Sequence, residues 1–379
     1  MKLKKFLRFL GITIFIFLVG GFGAVFLDFY AIPRLSTKAP FSKYEFFKKA
    51  TENVTIINKT EQVTVKEEDS VNKVASQAAA SVVNIISITA DKSISQNKQG
   101  TGVIITSDGL VATYRDAIIE KDSSYRVLTS NGSSYEARLA GVDEFTNLTY
   151  LKLDASNLPA IPIANSNDSY PGKKLIAIGN STGEYQNRFS AGLLSNTNKN
   201  FNLAGKTLSS SEKLEGVFET DFSGQGEYLG GPVVNYNSEL VGINGSITID
   251  NQKKYFQISS NNLRRSMELA IKNELGNRPA LGIYYVPITK AHYFANNLSQ
   301  DRGALIYSVS GKQGLAIISG SAAEKAGLEI NDIIIAINGQ EVNLDNPLSN
   351  MLSNYKKGDE VELLIVRNGQ EMKVKVKLM

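Results

Sequence analysis

Only one imidazole is available to this 379-residue chain, His292, and there is no cysteine at all. Proton transfer and nucleophilic attack near neutral pH draw first on these two side-chain types. The missing thiols exclude disulfides, thiolate metal sites and cysteine nucleophiles. His292 lies in PITKAHYFANNL, which reads as a helix, and an exposed polar position is expected there before a catalytic one. A serine paired with a lysine needs no histidine, and Ser181 and Ser223 stand in loop-like sequence where such a pair could form. That arrangement requires several coincidences. No cofactor and no metal is expected.

The charge distribution narrows the partners. Residues 1–34 carry Lys2, Lys4, Lys5, Arg8 and Arg34 against Asp28, which accounts for the whole formal charge of +4; the remainder holds 36 basic and 36 acidic residues. A neutral body has no electrostatic footprint for nucleic acid. Residues 9–27 are free of charge, and at ~1.5 Å per residue they nearly span a ~30 Å hydrocarbon core. The basic residues before them place the N-terminus in the cytoplasm and the body outside the membrane. An uncleaved single-pass anchor over 1–30 is therefore expected. A cleaved signal peptide is the rival, disfavoured by the length of the stretch and by the lack of an Ala-x-Ala site. Residues 31–70 read as a juxtamembrane linker, with Phe41, Tyr44, Phe46 and Phe47 close enough to form one and a half turns of helix.

Residues 71–276 read as one domain, and between about Ser81 and Ser260 it is built of short β-rich runs separated by Gly, Asn, Asp and Ser. Asp108-Gly109, Asn131-Gly132 and Asn237-Ser238 fall where hairpin turns belong. Many short strands at this spacing point to barrels or a sandwich. At Asn261 the pattern changes to helical, with Leu263, Met267, Ala270 and Ile271 on one face. Gly276-Asn277-Arg278-Pro279 then ends the helix and marks a boundary. Residues 279–379 form a second unit: strands, a short helix over Ser321–Ala326, another starting at Asn346-Pro347, and a closing hairpin at Asn368-Gly369.

Seven segments, in order, resemble the HtrA/Deg family of trypsin-like serine proteases with a C-terminal PDZ domain. VNKVASQAAASVVNI resembles the family's opening helix and strand. GTGVIITSDGLVATYRDAI resembles the segment that holds the histidine in active members, and LAGVDEFTNLTYLKL the one that holds the aspartate. LPAIPIANSNDSYPGKKLIAIGNSTG resembles the entry to the second barrel. ETDFSGQGEYLGGPVVNYNSELVGIN has the length and flanks of the serine segment. RPALGIYYVPIT and SAAEKAGLEINDIIIAINGQEVN resemble the PDZ opening and its helix and strand. The resemblance covers about 70–379 and implies two antiparallel six-stranded barrels followed by a PDZ domain, a mostly β fold behind a transmembrane helix.

The same resemblance assigns the triad places to Arg115, Asn147 and Leu229, none of which carries the expected residue. Imidazole can take a serine proton because its pKa lies near neutrality, whereas a guanidinium stays protonated. Leucine has no nucleophilic atom. In subtilisin, removing the triad costs about 10⁶ in turnover. Glu227 and Tyr228 occupy the turn that should supply oxyanion N–H groups, where the family keeps a glycine. A carboxylate there repels a developing oxyanion.

PDZ domains take peptide C-termini as an added strand, with the carboxylate on a loop of backbone N–H groups. The resemblance implies that Leu281, Gly282, Ile283 and Tyr284 form this loop and edge, with Leu348, Met351 and Leu352 lining the side-chain pocket. A valine at Gly282 is expected to crowd a ligand more than the core. The expected protein is thus a catalytically silent, membrane-tethered binder of protein or peptide C-termini that works in envelope protein quality control. It forms a homo-trimer or assembles with active relatives. An active endopeptidase with an unorthodox site and a structural scaffold presenting the PDZ domain are the alternatives.

Overall fold

The computed structural model describes residues 2–36, 72, 74, 76–89, 97–180, 187–205 and 208–379. Ser181 and the four aromatics at 41–47 lie outside these residues. The chain divides into two compact units, Met1–Asn72 and Lys73–Met379. The first contains helix α1 (Lys2–Phe26), a π-helical turn over Leu27–Ala31 and the short α2 (Ile32–Ser36). The stretch Phe9–Phe26 is long and apolar enough to cross a membrane, and none of it is buried.

The second unit begins with two closed barrels. β1 (Val82–Thr89), β2 (Lys98–Ile104), β3 (Leu110–Tyr114), β4 (Ser123–Thr129), β5 (Ser134–Asp143) and β6 (Leu148–Leu153) close in the order β1-β2-β3-β6-β5-β4. β7 (Lys174–Gly179), β8 (Arg188–Asn202), β10 (Glu215–Thr220), β11 (Pro232–Val234), β12 (Leu240–Ile249) and β13 (Gln252–Ser259) close as β10-β13-β12-β11-β7-β8, and the two-residue β9 (Ser209–Ser210) stands outside this barrel. All pairings within the barrels are antiparallel. Closure removes the exposed edges that short strands otherwise present. Val83, Ile85, Ile104, Val111, Val127 and Leu151 fill the first barrel. Leu175, Ala177, Leu194, Val233 and Val241 belong to the core of the second.

Helix α3 (Ser260–Ile271) follows. Leu263 and Ser266 are buried while Ile271 is 61% exposed, so the buried face differs from the sequence expectation. Ile271 sits at the last helical position, where the chain turns away before a 3-10 turn over Leu275–Asn277.

The PDZ fold is a sheet in the order β19-β18-β16-β15-β14-β9, from β14 (Tyr284–Pro287), β15 (Ala304–Ile306), β16 (Ile333–Ile337), β18 (Glu360–Arg367) and β19 (Gln370–Lys377), with β17 (Gln340–Glu341) paired to β16. Around it lie α4 (Lys290–Asn296), α5 (Gln313–Ala316), α6 (Ala322–Lys325) and α7 (Leu348–Leu352). Ser321 caps α6 by accepting the Glu324 N–H at 3.2 Å. Pro347 is the residue before α7 rather than its first turn position. Asn368 and Gly369 both adopt positive φ, as the two-residue hairpin between β18 and β19 requires. The sheet has an unexpected last member: β9, from the barrel region, is its edge strand.

Candidate functional site

The last residue of β3 delivers the chain into a one-turn 3-10 helix, Arg115–Ala117. Opposite it, the turn between β5 and β6 places Asn147 in the left-handed region at φ 58°, a conformation that asparagine tolerates better than most residues. The Arg115 N–H donates to the Asn147 carbonyl at 2.9 Å, which fixes the two segments side by side. The turn 225–228 leads to Leu229 from another direction. Gly230 follows at φ 78°, and a Cβ there would collide with the Thr113 hydroxyl and the Thr101 carbonyl. That close approach sets Gly230, the residue after Leu229, against Thr113 near the end of β3. Arg115 and Asn147 are direct neighbours, and Leu229 stands one residue from a glycine packed on β3.

The chemistry assembled there is ionic. Arg115 Nε lies 2.7 Å from Glu120, and its Nη1 donates to both Glu144 oxygens at 3.0 Å. Burial works against the guanidinium charge, but Glu120 and Glu144 outweigh it and hold the group above its ordinary pKa. No proton can be taken up by it. The Asn147 side-chain N–H₂ donates to the Tyr114 hydroxyl at 3.3 Å, and its oxygen accepts from Lys213 at 3.3 Å. Burial pushes the Tyr114 phenol up, with the Asn147 contact opposing. It is thus a neutral hydrogen-bonding group and not a base. Leu229 is half-buried.

The turn before Leu229 is closed on itself. The Glu227 N–H donates to the Gly224 carbonyl at 2.9 Å, and the Glu227 carboxylate is bound by Arg188 Nη1 at 2.6 Å. In the serine protease template the oxyanion hole uses the N–H of the nucleophile and that of the residue two places earlier. Under the resemblance, the second of these falls on Glu227, whose N–H donates to Gly224. Tyr228 is buried in the second barrel's core, and burial raises its phenol pKa. Ser223 is exposed, and among the described residues no lysine bonds its hydroxyl. His292 is half-buried on α4 with an unpartnered Nδ1, rather than exposed; it lies in the PDZ fold, on a different element from Arg115, Asn147 and Leu229.

In the PDZ fold, Leu281, Ile283, Leu348, Met351 and Leu352 join one core with Tyr285, and Tyr284 heads β14. The groove between β14 and α7 already has an occupant. β9 pairs antiparallel with β14, Ser210 opposite Tyr284 and Ser209 opposite Tyr285. Leu281 N–H and Gly282 N–H donate to one Glu212 carboxylate oxygen at 3.0 and 2.8 Å, and Ile283 N–H donates to the Ser211 hydroxyl at 3.0 Å. Deeper in, Asn350 of α7 bonds both the N–H and the carbonyl of Glu215. The Glu215 carboxylate accepts from the Tyr285 hydroxyl at 2.6 Å and the Ser209 hydroxyl at 3.1 Å. Desolvation nonetheless dominates and raises its pKa to about 7. Gly282 has φ 83°, and a Cβ there would run into the Ser321 side chain. Valine at 282 would therefore strain the fold itself, contrary to the sequence expectation.

Sequence reasoning did not find Ser211, Glu212 and Glu215. Their run SSSEKLE reads as a polar loop, and only its proximity to the PDZ edge gives it meaning.

The trypsin-like peptidase domain family matches residues 100–243, and the PDZ domain family residues 279–378. A probable periplasmic DegP-like serine endoprotease of Chlamydia trachomatis is 31% identical over 282 residues, covering 73% of this chain and 53% of that protein. The Do-like serine protease HtrA of Bacillus subtilis is 30% identical over 292 residues, covering 75% of this chain and 64% of that one. The chain spans about half the length of the first of these relatives and under two-thirds of the second. Among solved structures, the HtrA-type protease AlgW with a tripeptide shares the fold at a TM-score of 0.65 and 23% identity, over 80% of this chain and 95% of that one. A serine endoprotease from Yersinia pestis does so at 0.54 and 25%, over 81% and 97%.

Proposed function

Since the chain belongs to the HtrA/DegP family of trypsin-like serine proteases with a C-terminal PDZ domain, we propose that it is a proteolytically silent member, held to a membrane by its N-terminal helix, that acts by binding protein segments. The observation that carries this reading is Arg115. At the place the resemblance gives to the general base stands a cation locked between two carboxylates. Leu229, at the place the same resemblance gives to the nucleophile, has no nucleophilic atom, and the Glu227 N–H is turned away to Gly224. Each of three separate requirements of acyl transfer is lacking: a base, a nucleophile and a full set of oxyanion donors.

What remains is a binding scaffold. A PDZ groove draws affinity from main-chain hydrogen bonds, which need no catalytic residue. The structurally similar AlgW is described with a decapeptide and with a tripeptide, which supports peptides as the ligand class for this chain, and the PDZ mode of strand addition favours their C-termini. Basic residues before Phe9 favour a cytoplasmic N-terminus with the body on the other side. Assembly as a homo-trimer or with active relatives fits the same role in envelope protein quality control.

Labelling with a fluorophosphonate, which captures activated serines, tests the silent-site reading directly. The full chain in detergent should take up no label beyond that of a heat-unfolded control. Stoichiometric labelling, mapped to one serine, would establish a relocated nucleophile and an active enzyme instead.

A further inference from the structure

We propose that Ser211 and Glu212 form a built-in pseudo-ligand of the PDZ carboxylate cradle, so that a free peptide C-terminus enters only after this segment is displaced. The inference rests on the reading that the groove binds peptide C-termini, and it specifies how that binding is controlled.

The geometry is that of a bound peptide. β9 adds to β14 as an antiparallel strand, the mode by which PDZ domains take ligands. The Ser211 N–H donates to the Ile283 carbonyl at 3.1 Å, continuing the ladder to the cradle. There the chain does not end, so it has no terminal carboxylate to offer. The side chains substitute for one: the Glu212 carboxylate receives the Leu281 and Gly282 N–H groups, and the Ser211 hydroxyl receives that of Ile283. The Ser211 hydroxyl also donates to Glu212 at 2.6 Å, which orients the carboxylate. Three successive backbone donors are thus satisfied by two neighbouring side chains, one of them anionic. Charge-assisted bonds of this kind are roughly twice as strong as neutral ones.

Because the pseudo-ligand belongs to the same chain, its effective concentration is fixed by geometry, and an external peptide binds only in proportion to the open fraction. Release also reaches the loop of the first barrel that holds Asn147. Lys213, next in the chain, bonds the Glu144 carbonyl and the Asn147 side chain, and the Leu214 N–H donates to the Phe145 carbonyl at 2.9 Å. Displacing Glu212 therefore pulls on the loop that holds Asn147 beside Arg115.

Two variants of the full chain in detergent, Glu212→Ala and Ser211→Ala, test this, with a cooperative melting transition as the control for folding. Hydrogen exchange across 280–284 should be slow in the unaltered chain. It should accelerate at least tenfold at Leu281 and Gly282 in Glu212→Ala, and at Ile283 in Ser211→Ala. Fluorescent decapeptides ending in Val, Leu, Ile or Phe with a free carboxylate should bind Glu212→Ala about tenfold or more tightly than the unaltered chain. Their amidated forms should not gain. Unchanged exchange in both variants, or equal peptide affinity with and without Glu212, overturns the pseudo-ligand. Accelerated exchange with no peptide bound by any form leaves the pseudo-ligand standing and removes the peptide-binding reading.

Discussion

Arg278 closes a two-pronged ion pair on Asp143, its Nε 3.0 Å from one carboxylate oxygen and its Nη2 2.5 Å from the other. Asp143 is 0% exposed and also accepts the Phe145 N–H and the Thr146 hydroxyl, so it anchors the loop that ends in Asn147. Arg278 lies over the Phe145 ring at 4.8 Å, one residue before the PDZ family match begins. This pair ties the candidate site to the start of the PDZ fold.

Removing one partner should be costly. Arg278→Ala leaves a buried carboxylate without its counter-charge, and a loss of about 3–5 kcal/mol in unfolding free energy is expected. Urea unfolding followed by tyrosine fluorescence measures it. A loss below about 1 kcal/mol would mean that solvent reaches Asp143 and that the pair does not organise the loop.

Glu215 gives the junction of barrel and PDZ a pH dependence of definite sign. In the folded chain its carboxyl keeps its proton up to about pH 7, against an ordinary value of 4.5. Between those values the folded state binds more protons than the unfolded one, so stability falls as pH rises. The contribution is whole below pH 4.5 and lost as pH passes through 7, and it amounts to roughly 3 kcal/mol. Relative to Glu215→Gln, the unaltered chain should therefore lose stability from pH 5 to pH 8. Parallel stability profiles for the two proteins would show that Glu215 is ionised throughout.

Restoring the three side chains should not restore full activity. The variant Arg115→His, Asn147→Asp, Leu229→Ser regains a base, an orienting carboxylate and a nucleophile, but the Glu227 N–H still donates to Gly224. One missing oxyanion donor costs about 10² to 10³ in kcat. Adding Glu227→Gly, which also frees Arg188, should raise casein turnover at least about 100-fold over the triple variant. Equal turnover with and without the fourth change would show that the turn reopens unaided.

Local patterns made the double barrel and the PDZ fold legible, because alternation, turn residues and glycines encode them along the chain. Asn131-Gly132, Asn368-Gly369 and the run around Gly230-Gly231 each announce a structure by themselves. The ionic lock on Arg115 was not legible: Glu144 lies 29 residues away in sequence and reaches it only through the pairing of β3 with β6. The same holds for Glu212, about 70 residues before the N–H groups it binds. Polar residues in loops carry no periodicity, so their partners are set by tertiary packing alone. Ile271 failed for the opposite reason, since an apolar residue on the right helical face lay one step past the point where the helix leaves the core.

Turnover of an unfolded substrate tests the central claim most directly. The full chain in detergent, incubated with fluorescently labelled casein alongside the quadruple variant Arg115→His, Asn147→Asp, Leu229→Ser, Glu227→Gly, should release no fragments above the rate of buffer alone, while the variant should. Cleavage by the unaltered chain that persists through repurification and is stopped by a serine-reactive inhibitor would contradict the account.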